Sequence, residues 1–146
     1  MRKTAASLFA GIAAVLPMLL VVPAALAQQP EALIELDLNA AQPSQGGCRL
    51  TFVVANNLAT PIDRAAFEMA LFNKQGVVDR LSVLDFKGLP AGKTKVSRFD
   101  LSGVQCGDLS RVLINDATAC EGAGTAPDAC AKSLRTRSTS GIQFGR

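Results

Sequence analysis

The chain has 146 residues, with no histidine, tryptophan or tyrosine, and 15 basic residues against 12 acidic ones. The missing histidine excludes Ser-His-Asp and Cys-His catalytic pairs and every imidazole metal ligand. Near-balanced charge argues against nucleic acid or anionic lipid as the main partner, and the length fits one domain.

The N-terminus reads as an export signal. Arg2 and Lys3 are basic, Leu8 to Val22 is almost unbroken apolar chain, and Ala25-Leu26-Ala27 supplies a small-residue cleavage site. Cleavage is expected between Ala27 and Gln28. The pair Arg2-Lys3 favours the general secretory route over the twin-arginine one. An uncleaved anchor is the rival, because the twenty residues from Leu8 to Ala27 match the roughly 20 needed to span a bilayer; Pro17, Pro23 and the alanine-rich end weigh against it. No cysteine follows the cleavage point to carry a lipid, so a periplasmic or secreted protein without stable membrane insertion is expected. The division is a signal at 1–27, a linker at 28–31, a domain at 32–134 and a tail at 135–146 that ends in a short strand.

Behind the linker, Ala32 to Asn39 alternates, with Ile34, Leu36 and Leu38 on one face and Glu35, Asp37 and Asn39 on the other, the pattern of a half-buried strand. The cluster from Pro43 to Gly47 predicts a turn, and Cys48 to Ala55 a second strand. Ala65 to Phe72 has helix-favouring residues but strand alternation of Phe67, Met69 and Leu71. The hairpin-like Asn73-Lys-Gln-Gly76 that follows decides for strand, leading into Val77 to Phe86. Leu89-Pro-Ala-Gly92 is a turn before a strand over Thr94 to Leu101. Leu109 to Asn115 is the next strand. Beyond Cys120 the sequence predicts loop, one helical turn near Ala129 to Leu134, and a Ser/Thr/Arg tail whose Gly141 to Phe144 pairs as a short strand. Six to seven strands at roughly ten-residue intervals predict a mainly all-β, antiparallel, immunoglobulin-like β-sandwich with an irregular C-terminal loop and tail.

Cys48, Cys106, Cys120 and Cys130 are even in number and all lie beyond the signal, so two disulfides are expected in an exported chain. Three pairings are open. The Gly/Pro/Asp-rich segment 121–129 favours Cys120 with Cys130, which leaves Cys48 with Cys106. No C-x-x-C motif or zinc-module spacing is present.

The run Leu36-x-Leu38-Asn39, Cys48-Arg49-Leu50-x-Phe52, Leu71-Phe72, Leu89-Pro-Ala-Gly-Lys-Thr94, Phe99-Asp100, Cys106, Arg111-Val-Leu-Ile-Asn-Asp116 and Cys120 resembles a group of short exported alphaproteobacterial proteins. The Pro-x-Gly turn between alternating strands is more loosely similar to immunoglobulin-like modules of bacterial envelope proteins. The resemblance implies a fold and brings no activity or site residues with it.

The chemistry left to such a chain is limited. Asp79 with Asp85, or Asp63 with Glu68, are the carboxylate pairs to weigh for glycoside hydrolysis, but no tryptophan or tyrosine is present to stack a sugar. Asp116, Glu121 and Asp128 are the candidates for a cation loop, without EF-hand spacing. Gly122-Ala-Gly124 lacks the context of a phosphate loop. Met69 alone remains beyond the signal for methionine-bound copper. Lys132, Arg135, Arg137 and Arg146 form either a solvated terminus or a contact for an acidic partner. Arg111 is expected to face solvent and Asp116 to end its strand. The sequence thus predicts a non-catalytic interaction module for another cell-envelope protein, with no catalytic residue, cofactor or metal ligand assigned. A small-ligand or metal-binding protein using the Cys120–Cys130 loop is the alternative.

Overall fold

The computed structural model describes residues 33–146; the signal, the Ala27/Gln28 cleavage point and the linker 28–31 lie outside them. Eight strands form two four-stranded sheets packed face to face. They are β1 (Ile34–Ser44), β2 (Gly47–Asn56), β3 (Ile62–Asn73), β4 (Val78–Leu89), β5 (Lys93–Ser102), β6 (Leu109–Glu121), β7 (Leu134–Ser138) and β8 (Gln143–Gly145). One sheet has the order β5-β2-β1-β7 and the other β4-β3-β6-β8. A 3-10 turn (Cys106–Asp108) precedes β6, and one helical turn, α1 (Ala129–Lys132), precedes β7.

The alternation read from the sequence is the alternation of burial. Ile34, Leu36 and Leu38 on β1, Leu50, Phe52 and Val54 on β2, and Phe67, Met69 and Leu71 on β3 all point between the sheets and are buried. Five phenylalanines fill the centre. Phe52 meets Phe86, Phe99 and Phe144 edge to face at 5.4, 6.0 and 5.5 Å, and Phe86 meets Phe67 and Phe99 at 5.8 and 4.9 Å. Such T-shaped pairs add about 0.5–1.5 kcal/mol each beyond the area they bury.

The strands run longer than the sequence predicts, and two corrections concern the C-terminal half. β6 continues through Asp116 to Glu121, because shifts in its register with β3 let the strand bend and carry on past its charged residues. Asp116 therefore sits within β6, opposite Glu68. The tail is not irregular. β7 pairs with β1 and β8 with β6, and both pairs are parallel, so the sandwich is antiparallel except at these two flanks. Leu134 is buried, and Ile142 and Phe144 pack against the core, which carries the domain past residue 134. β8 falls where the sequence predicts a short final strand, whereas β7 is too short and too polar for alternation to announce it.

Two disulfides hold the ends. Cys48, at the start of β2, is bonded to Cys106, and Cys120, near the end of β6, to Cys130 in α1. Asn56 is a buried polar anchor: its Nδ2 donates to Leu89 O (2.8 Å) and Thr60 O (3.1 Å), and its Oδ1 accepts from Leu58 N–H (3.0 Å). Gly47 approaches β5 so closely that a Cβ there would lie 2.1 Å from Leu101 O.

Candidate interaction surface

The carboxylates weighed as chemical groups are dispersed, and Asp85, Asp79 and Glu68 are held by cations or an amide. Asp85 binds Lys87 Nζ at 2.8 Å and Arg64 Nε at 3.2 Å, and it accepts the Lys87 backbone N–H at 2.9 Å. The Lys87 side chain, then its N–H, hold the Asp85 carboxyl down at about 2. Lys87 itself has φ 61°, a left-handed residue that breaks the regular ladder with β3. Asp79 meets Arg80, and Glu68 accepts from Asn115 at 2.6 Å. Asp63 is exposed at the start of β3.

The cation-loop candidates also go to separate places. Glu121 pairs with Arg64, and Asp128 pairs with Lys132, which lowers its pKa. Asp116 accepts its own neighbour's Ala117 N–H. Among the described residues no three His, Cys, Asp or Glu side chains gather into a set able to hold a metal ion.

The tail cations are used within the domain. Parallel pairing sets Arg137 against Asp37, whose carboxylate it meets at 3.2 Å, and Arg135 against Glu35. Arg146 donates to Ala131 O at 2.6 Å. The ladder of charges along β1 and β7 was invisible in sequence because its halves lie about 100 positions apart. Arg111 faces outward as expected, its guanidinium 5.2 Å from the Phe72 ring centre.

Cavities are small or open. A cleft of about 90 Å³ lined by Asn73, Asp79, Val104 and Asp108 falls well below the roughly 300 Å³ of a typical ligand pocket. An open groove of about 560 Å³ runs between β4 and β5, along Arg80, Ser82, Arg98 and Asp100. Two cationic side chains bridge this open side of the sandwich: Arg80 Nη1 donates to Ser102 O at 2.9 Å, and Lys95 Nζ donates to Phe86 O and Gly88 O.

The feature sequence reasoning passed over is the outer face of the β4-β3-β6 sheet. On edge strand β4, Leu81 is 53% and Val83 56% exposed. Leu81 lies opposite Ala70 on β3, which lies opposite Leu113 on β6; Phe72 lies opposite Val78 and Arg111. The small Ala70 sits between Leu81 and Leu113, and the apolar patch is bounded by Glu68, which lies opposite Val83 and Asp116, and by Asp85 opposite Ala66. The signal was present in the sequence as Leu81 and Val83 alternating with Arg80, Ser82 and Leu84, but alternation cannot tell which face is solvated.

No family model matches the chain, and no curated protein matches it significantly. Among solved structures it is similar to the Salmonella enterica trimeric lipoprotein SadB, with 21% identity and a TM-score of 0.42 over 48% of this chain and 40% of that one. A likeness of that size carries no argument about function. No helix among the described residues is long and apolar enough to cross a membrane.

Proposed function

We propose that this is a non-catalytic exported β-sandwich that works by binding another protein of the cell envelope on the outer face of its β4-β3-β6 sheet. The observation that carries the reading is the gathering of exposed apolar side chains there: Leu81, Val83 and Val78 on one strand, continuous with Phe72 and Leu113. Exposed apolar groups that adjoin one another mark binding surfaces more often than scattered ones do. The paired carboxylates and shallow cavities support a surface over a reactive cleft, and two disulfides suit an oxidising compartment.

The test is a photo-crosslinking residue at Leu113 in the native cells. A single envelope protein should be captured, and Arg111→Glu, on the same face, should abolish the adduct. Asp116→Asn and Asp128→Asn should leave both fold and adduct intact. A conservative carboxylate change that destroyed the phenotype of a folded protein would overturn the proposal, and metal found by elemental analysis would favour the Cys120–Cys130 loop instead.

A further inference from the structure

The apolar face ends at a strand edge, and the edge itself has a fit. Among the described residues the two sheets present four edge strands. β8 has three residues and β7 five, and β5 carries Lys93, Lys95, Arg98 and Asp100 along its length. Shortness and charge are the usual means of preventing edge-to-edge pairing. β4 has twelve residues, and its charges, Asp79, Arg80, Asp85 and Lys87, flank an uncharged run, Leu81-Ser82-Val83-Leu84, over which its ladder with β3 is regular. Its outward hydrogen-bonding groups there form a regular template between the Arg80–Ser102 bridge at one end and the Lys95–Phe86 bridge at the other.

Resting on the reading of this face as the binding surface, we infer that β4 pairs antiparallel with β4 of a second copy, about a two-fold axis through Leu81. The charge pattern selects the register. In a two-fold antiparallel pair, facing residues share a side of the sheet, so the axis passes through one residue. An axis at Arg80 sets that cation against itself, and one at Ser82 sets Asp79 against Asp85. An axis at Val83 faces Leu81 with the Asp85 carboxylate and runs the pairing out to Lys87, whose φ of 61° leaves the extended strand. At Leu81, leucine meets leucine and Arg80 meets Ser82, and the facing ends with Val83 opposite Asp79, which the register shift leaves unpaired with β3. No like charges then face each other, a juxtaposition that destabilises sheets.

Arg80, Arg98 and Asp100 line the adjacent groove, and Arg49 of the same chain already holds Asp100 at 2.9 Å, so the fit between copies rests on the facing of β4 residues alone. The result is one continuous eight-stranded sheet whose outer face doubles the apolar surface offered to a partner. A single strand pair buries less than the roughly 1,200 Å² of standard interfaces, so the dimer is concentration-dependent.

Sedimentation of the exported, fully oxidised protein from micromolar to millimolar concentration tests this. The average mass should rise toward twice that of the chain. Leu81→Lys and Leu81→Asp should each stay monomeric with unchanged circular dichroism and melting, their association weakened by about tenfold or more. Mixed together they should form a heterodimer, because the two side chains face each other across the axis. Val96→Lys, on β5 and equally exposed at 53%, should leave the dimer intact. Wild-type protein that remains monomeric throughout, or two Leu81 variants that fail to associate when mixed, would overturn the inference. Capture of an envelope protein by a monomeric chain would sink the dimer and leave the binding face standing; a dimer that captures nothing would do the reverse.

Discussion

Lys95 and Phe86 join the two sheets at their open side: the Lys95 ammonium on β5 donates to the Phe86 carbonyl oxygen on β4 at 2.9 Å, and to Gly88 O at 3.2 Å. Sandwiches are usually held there by side-chain packing alone. Here a cation satisfies two carbonyls at the point where β4 and β5 diverge into different sheets.

Lys95→Met keeps the stem and removes the donor. The change should cost about 1–3 kcal/mol, the usual loss when charge-assisted bonds to partly buried carbonyls are broken. Denaturant unfolding reads this as a lower midpoint at an unchanged slope. A variant as stable as wild type would show that water replaces the ammonium at no cost.

Asp85 predicts the acid limb of the stability curve. Its carboxyl is held down at about 2 by Lys87, with Arg64 adding to it, so the folded state binds the proton less readily than the unfolded chain. The resulting stabilisation is present above the ordinary carboxylate range and lost as pH falls through about 2. Asp85→Asn should therefore lower the melting temperature at neutral pH and flatten its fall on acidification. A pH profile of melting that stays parallel to wild type would refute the assignment.

Gly47→Ala should destabilise strongly, because its Cβ would meet Leu101 O at 2.1 Å and backbone cannot yield as a side chain does. Overpacking of this kind costs about 1–3 kcal/mol. Gly107→Ala, where nothing lies within 4 Å, is the matched control and should be close to neutral by thermal melting.

The two disulfides should differ in weight. Cys48–Cys106 closes 58 residues of sequence and Cys120–Cys130 closes 10. Loop-closure entropy assigns them about 4 and about 3 kcal/mol. Replacing each pair by serine and comparing unfolding midpoints should rank the long bridge first, and the opposite order would point to structure retained in the unfolded chain.

The core was legible because it is written locally. Ile34, Leu36, Leu38, Phe67, Met69 and Leu71 announce their strands by a two-residue period that needs no knowledge of neighbours, and Gly76, Pro90 and Gly92 mark the turns. What stayed hidden depends on pairing across the chain. Arg135 and Arg137 read as a solvated tail until β7 is laid beside Glu35 and Asp37. Asp116 reads as a strand end because a bulge looks in sequence like an interruption. The outer face of β4 was hidden for the same reason: Leu81 and Val83 have the period of core residues, and only the second sheet shows that Leu84 and Phe86 face inward.

The parallel pairing of β1 with β7 has a consequence for how the molecule comes into being. Ile34 lies beside Leu134, so the first strand gains its second neighbour only when residues 134–138, a hundred positions further on, are present. A chain delivered N-terminus first, from a ribosome or through a pore, must wait with one flank of β1 bare, and contacts between residues so far apart in sequence form slowly. Closure of the second flank of β1 and arrival of Leu134–Ser138 are thus one event. A nascent chain stopped short of Leu134 would hold Phe52 and its aromatic neighbours without Phe144 to cap them, a state in which chaperones and proteases would have the longest access.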